Sequence, residues 1–212
     1  MRSFIYLLVV LLKANICLAQ DEYIEETKEA ASFGIKAGIN YTNIYQCSTK
    51  DFNTQGKAGF AGGIFVSIPI CKYIGLQPEL LFSQRGFKAT GNYWGSEYEL
   101  NRTLNYIDVP LLASFNPVSG LSILFGPQYS YLLNQHDSFT NSVLTVAQED
   151  DFKNDKIRKG IFCLTGGLDF NLNNTVLGLR AGWDLINNKD DETFETPQYK
   201  NVWIQGTLGF RI

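Results

Sequence analysis

From Phe33 onward, apolar and polar positions alternate with period two over most of the chain. FGIKAGINY sets Phe33, Ile35, Ala37, Ile39 and Tyr41 against Gly34, Lys36, Gly38 and Asn40, the pattern of a strand with one oily and one polar face. The same alternation recurs in GFAGGIFVSI, IGLQPELLFSQR, LNYIDVPLLASF, LSILFGPQYSYLL, GIFCLTGGLDFNL, TVLGLRAGWDL and VWIQGTLGFRI, so eight strands are predicted. Each is close to the roughly 9–11 residues with which a tilted strand crosses a bilayer. The connections alternate too. PICKY, NPVSG and NNT are short, whereas GFKATGNYWGSEYELNRT, NQHDSFTNSVLTVAQEDDFKNDK and INNKDDETFETPQYK are long and polar. In an up-and-down meander that alternation gathers every long loop at one end, as in outer-membrane barrels.

An eight-stranded meander also describes a soluble lipocalin-like carrier, and the two differ in which face is wet. Lys36, Glu79, Arg85, Asp108, Lys159, Asp169, Arg180, Asp184 and Arg211 all fall on the second face, while the first is almost uncharged. In a bilayer the charged face must point inward, because a lipid-facing charge near the midplane costs about 2–4 kcal/mol. Three features favour that orientation. The second face is rich in glycine, which suits a crowded narrow interior. Its charges have mixed signs and can pair. The first face ends in aromatics at both levels: Phe33, Phe115, Phe170 and Phe210 near the short turns, and Tyr41, Phe60, Phe82, Tyr131 and Trp183 near the long loops. The predicted fold is therefore all-β, an eight-stranded antiparallel up-and-down transmembrane β-barrel with four long extracellular loops and short periplasmic turns. Its last strand, VWIQGTLGFRI, must close on the first, since lipid satisfies no backbone hydrogen bonds. On this orientation Leu179→Arg is expected to damage folding far more than Gly178→Ser.

The first residues, MRSFIYLLVVLLKANICLAQ, carry Arg2, an apolar run and Cys17-Leu18-Ala19 at the cleavage positions, the order of a secretory signal peptide. The expected organisation is a signal peptide over 1–19, an N-terminal periplasmic segment over 20–32 and an outer-membrane barrel over 33–212. Losing Arg2 and Lys13 from 18 basic residues leaves 16 against 21 acidic ones, which argues against a nucleic-acid partner. Cys47, Cys71 and Cys163 would remain, an odd number at irregular spacing. They make neither a disulfide framework nor a zinc site.

Catalytic signatures are missing. There is no P-loop and no G-x-S-x-G elbow. His136, the single histidine, is expected in a polar loop with no Cys or second His nearby, which argues against both a metal site and a Ser-His site on a strand. The inward set Lys36, Glu79, Arg85, Asp108, Asp169, Arg180, Asp184 and Arg211 reads as a lumen network of paired charges rather than an acid–base pair. Tyr93, Trp94 and Tyr98, among glycines in a long loop, are candidate contact residues, since aromatics are enriched at binding surfaces. Asp190, Asp191, Glu192 and Glu195 read as a solvated acidic loop. No enzyme, metal or cofactor is expected.

GIKAGIN, LQPELLFSQRG, NYIDVPLLASF and ILFGPQYSYLL, in that order, resemble the PorT-like outer-membrane β-barrel family of Bacteroidota, over about Phe33 to Ile212. The resemblance implies an eight-stranded outer-membrane barrel and little about activity. The family's named member is linked to secretion and maturation of surface proteases. The expected role is a structural or binding scaffold working through its extracellular loops, with outer-membrane lipid around it. Expected partners are a protein or surface ligand at the loops and the barrel assembly machinery during biogenesis. The alternatives are an accessory subunit of a secretion system, a narrow channel or a soluble carrier.

Overall fold

The computed structural model describes residues 31–45, 53–93, 96–141, 145–148, 158–188 and 199–212. The expected signal peptide and most of the expected periplasmic segment lie outside these residues, as do Cys47 and the acidic run from Asp190 to Glu195.

The strands are β1 (Ser32–Tyr45), β2 (Asn53–Cys71), β3 (Ile74–Tyr93), β4 (Ser96–Val118), β5 (Leu121–Asn141), β6 (Thr145–Gln148), β7 (Gly160–Leu172), β8 (Thr175–Asp184) and β9 (Lys200–Arg211). Every pairing is antiparallel. The sheet closes where β9 meets β1, from Gly34 opposite Arg211 to Tyr45 opposite Lys200. Eight strands form the barrel. β6 pairs with the outer end of β5 and stands outside the closed ring.

The register gives the geometry. Tyr131 on β5 faces Ile107, which faces Phe82, then Gly62, Ala37, Leu208, Leu177, Phe170 and finally Leu121, back on β5. One circuit thus slips ten residues along a strand. At roughly 3.3 Å per residue and 4.8 Å per strand, that shear tilts the strands by about 40°.

Adjacent side chains on β8 settle the orientation: Leu179 is 51% exposed and Arg180 is 2% exposed. The whole first face behaves like Leu179. Ile35, Ile39, Leu80, Leu111, Phe125, Phe162, Ile204 and Leu208 are all exposed. A soluble carrier would place these residues inside. Phe33, Phe115, Phe170 and Phe210 stand exposed near the short turns, and Tyr41, Phe60 and Tyr131 near the other end, with Phe82 and Trp183 half-buried. Phe170 and Phe162 are eight residues apart on β7, about 20 Å along the axis at this tilt.

The short connections are two-residue turns at Lys72–Tyr73, Ser119–Gly120 and Asn173–Asn174. Gly120 and Asn173 take the left-handed backbone that such turns need, with φ of 89° and 54°.

Two stretches expected as long loops are largely strand. β3 and β4 stay paired up to Tyr93 opposite Ser96, and β4 and β5 up to Tyr98 opposite Asn141. Their polar residues hid them, because above the apolar band both faces of a strand meet water and the alternation signal fades. The backbones of Tyr93 and Tyr98 therefore belong to β3 and β4, not to a loop. Their side chains, and Trp94 altogether, lie outside the described residues.

Candidate functional site

Nine charged side chains are buried inside the barrel among the described residues: four cations, Lys36, Arg85, Arg102 and Arg180, and five carboxylates, Glu79, Asp108, Asp137, Asp169 and Asp184. They stack in three tiers. Nearest the short turns, Lys36 Nζ meets Glu79 Oε2 at 2.5 Å, and Arg180 grips Asp169 through two parallel bonds of 2.7 and 2.8 Å. Gln77 donates to both carboxylates, at 2.8 Å to Glu79 and 3.2 Å to Asp169, and Arg180 Nη2 lies 3.6 Å from Glu79. Two-pronged guanidinium–carboxylate contacts of this kind are the stronger and more directional ion pairs.

The middle tier centres on Arg85. Its Nη2 donates to Asp108 at 2.6 Å and its Nη1 lies 3.9 Å from Asp184. The guanidinium stacks 3.7 Å from the Trp203 ring centre and 4.8 Å from that of Tyr106. Asp184 is the carboxylate beyond the number of cations, and neutral donors hold it. Asn201 gives its backbone N–H at 2.9 Å and its side-chain amide at 2.6 Å, and the Cys163 thiol sits at 3.2 Å.

The third tier, towards the loops, pairs Arg102 with Asp137 through bonds of 2.8 and 2.5 Å. Gln135 supports Asp137, and Tyr199 lies within reach of Arg102 and edge-on to Phe87. Between the middle and upper tiers, Leu104, Tyr106, Leu132, Ile161, Cys163 and Trp203 form a dry cluster with Ile186 against it. The lumen is thus filled by ionic tiers and an apolar plug, not by paired charges alone as the alternation implied. Leu104, Tyr106 and Ile161 occupy inward positions because tertiary space, not polarity, dictates what fits there.

Of the expected network residues, Lys36, Glu79, Asp169 and Arg180 meet in the first tier, and Arg85, Asp108 and Asp184 in the second. Arg211 sits at the short-turn rim and donates to Asn171 at 2.9 Å. Lys159 is exposed at the opposite rim. His136 is not in a loop as expected: it lies on β5, exposed on the outer wall opposite Thr103, because the strand runs on through polar residues above the apolar band. Cys71 and Cys163 are free thiols. Among the described residues no group of three or more metal-ligating side chains converges.

Sequence reasoning missed the Arg102–Asp137 pair. Arg102 is in phase with Leu104, Tyr106 and Asp108, so extending the alternation two steps would have found it. Asp137 is hidden by a bulge: Tyr106 faces Leu132 and Asn105 faces Asn134, leaving Leu133 as the extra residue. That one residue reverses the in–out phase of the rest of β5.

The sequence from residue 18 to 188 matches the family described as outer membrane protein beta-barrel domain. The chain belongs to that family. Comparison with curated proteins finds no match. Among solved structures, this outer-membrane barrel is similar to Ail, the attachment invasion locus protein of Yersinia pestis, at 14% identity and a TM-score of 0.49, covering 86% of this chain and 99% of that one. It is also similar to Neisserial surface protein A, at 12% identity and a TM-score of 0.47, over 87% and 100% of the two chains. Its likeness to the outer membrane protease OmpT of Escherichia coli is 9% in identity with a TM-score of 0.37, over 85% and 95%. These likenesses concern the fold. Membership of the barrel family locates the protein in the outer membrane, with its exposed apolar face against lipid.

Proposed function

We propose that this barrel is a plugged scaffold that works by binding through its extracellular rim, and that it is neither an enzyme nor a pore. The observation carrying this reading is the filled lumen: three ionic tiers and an apolar plug leave the interior occupied by side chains that hold one another. The inward carboxylates have structural partners that account for their positions, and the lone histidine stands on the outer wall, away from them. On one side of the barrel the sheet of β3, β4, β5 and β6 continues past the rim, which supplies a raised surface for a partner. Tyr93, Trp94 and Tyr98 belong to that part of the chain and are the proposed contacts.

Planar-bilayer recording tests the plug. The purified barrel should give no steady open current at neutral pH, and a sustained open-channel conductance would overturn the reading.

Within the wider family we assign the chain to the PorT-like barrels of Bacteroidota, on the LQPELLFSQRG and NYIDVPLLASF stretches. We further assign residues 1–19 as a signal peptide and the barrel assembly machinery as the insertion partner. That resemblance favours a second reading, an accessory subunit of a secretion or surface-maturation system. Gentle extraction from native membranes should then yield the barrel with a stoichiometric protein partner. Recovery of the barrel alone, at every detergent strength, would remove this second reading.

A further inference from the structure

The outer wall is not uniformly apolar at the loop end. On β3, β4 and β5, Phe82, Ile107 and Tyr131 face one another across the strands, and in the next outward-facing row Gln84, Asn105 and Asn134 do the same, with Leu133 as the bulge residue between the rows on β5. The three amides form a ladder on the outside. Gln84 donates to Asn105 at 3.1 Å, and Asn105 donates to Asn134 at 2.6 Å. Lys57 reaches from β2 to the rows just above this ladder. Its stem crosses β3 at Gly86, where an added Cβ would stand 3.2 Å from Lys57 Cδ, and its ammonium donates to Asn101 at 2.7 Å and Thr103 at 2.6 Å. His136 is exposed on the same wall, opposite Thr103.

The far arc differs. There Leu185 and Val202 are exposed and Trp183 is half-buried, so the apolar wall continues upward on β8 and β9. The polar arc on β2–β5, directly above an apolar step, sits where acyl chains give way to head groups. Its fixed charge is positive. The ammonium has a third N–H to give, the exposed Asn134 amide has its NH2 group and the imidazole a ring N–H, and a phosphate is the head-group element that takes several donors at once.

We propose that the wall formed by Lys57, Asn134 and His136 docks the phosphate of an outer-leaflet lipid, whose chains lie down over Tyr131, Ile107 and Phe82. A free phosphate ion would meet the same donors but would gain nothing from the apolar step below them.

The test uses the full-length barrel in detergent, with retained lipid read by native mass spectrometry. Its probes are dioleoyl phosphatidic acid and dioleoylglycerol, which share chains and differ in the phosphate. The wild-type barrel should prefer phosphatidic acid by about tenfold, the factor that one hydrogen bond to a charged group is worth. Lys57→Gln should remove most of that preference and Lys57→Arg should restore it. Asn134→Leu should weaken it in part, and Lys72→Gln at the opposite end should leave it unchanged. Heat-modified mobility on gels reports folding of each variant, and Asn134→Leu carries the test should Lys57→Gln not fold. Equal retention of the two probes by wild type, full retention by both folded variants, or complete displacement of phosphatidic acid by inorganic phosphate would overturn the proposal.

Discussion

Replacing Arg85 with leucine should lower the unfolding free energy of the barrel by about 3–5 kcal/mol, or prevent folding, as read by urea titration after refolding into phospholipid vesicles. The size follows from what the guanidinium does. It is fully enclosed and lies between Asp108 and Asp184, both of them nearly inaccessible. Leucine would leave two carboxylates in a dry lumen with no cation within reach, and removing one partner of a buried pair costs far more than the pair contributes. It would also lose the stacking on Trp203 and Tyr106. Arg85→Lys should recover only part of the loss, because an ammonium cannot lie flat on an indole and address two carboxylates at once. Adding Asp108→Asn to Arg85→Leu should recover some stability, since one stranded charge goes, and that non-additivity identifies the contact. Wild-type stability in Arg85→Leu would mean that water, rather than side chains, surrounds these carboxylates.

The barrel was legible wherever lipid lies on one side of the strand. There the contrast between an oily outside and a polar inside is enforced at every second residue, as at Ile35-Lys36 and Leu179-Arg180. Above the girdle the contrast disappears, and with it the outer halves of β3, β4 and β5 and the whole of β6. The network residues were legible by phase but their partners were not. Lys36 meets Glu79 across 43 residues, and the bond between Gln77 and Asp169 spans 92, distances over which alternation carries no information. The plug was illegible for another reason. Leu104 and Tyr106 occupy inward phase among charges, and only packing shows that they fill space beneath the mouth rather than interrupt the pattern.

Leu179→Arg should destabilise the folded barrel by about 2–4 kcal/mol, whereas Leu172→Arg should cost about 0–1 kcal/mol. Both residues point outward and both are more than half exposed. They differ in depth. Leu179 lies between Leu168 and Gly206, midway up the apolar band, and an arginine there must carry its charge past hydrocarbon in either direction. Leu172 ends β7 at the short turn, below Phe170, where an arginine reaches water at once. The inward comparison at Gly178 is not the mild change that its small side chain and polar face imply. A Cβ there would stand 2.4 Å from Thr207 Oγ1 and 2.9 Å from Asp169 Oδ1, so Gly178→Ser presses on the Arg180–Asp169 pair. Thr207→Ser, in register with Gly178 and subtracting only a methyl, is the gentler inward control. Urea titration in vesicles should rank Leu179→Arg well below Leu172→Arg, with Thr207→Ser near wild type. A bilayer penalises charge by depth, so equal losses at positions 179 and 172 would mean that this face does not meet lipid.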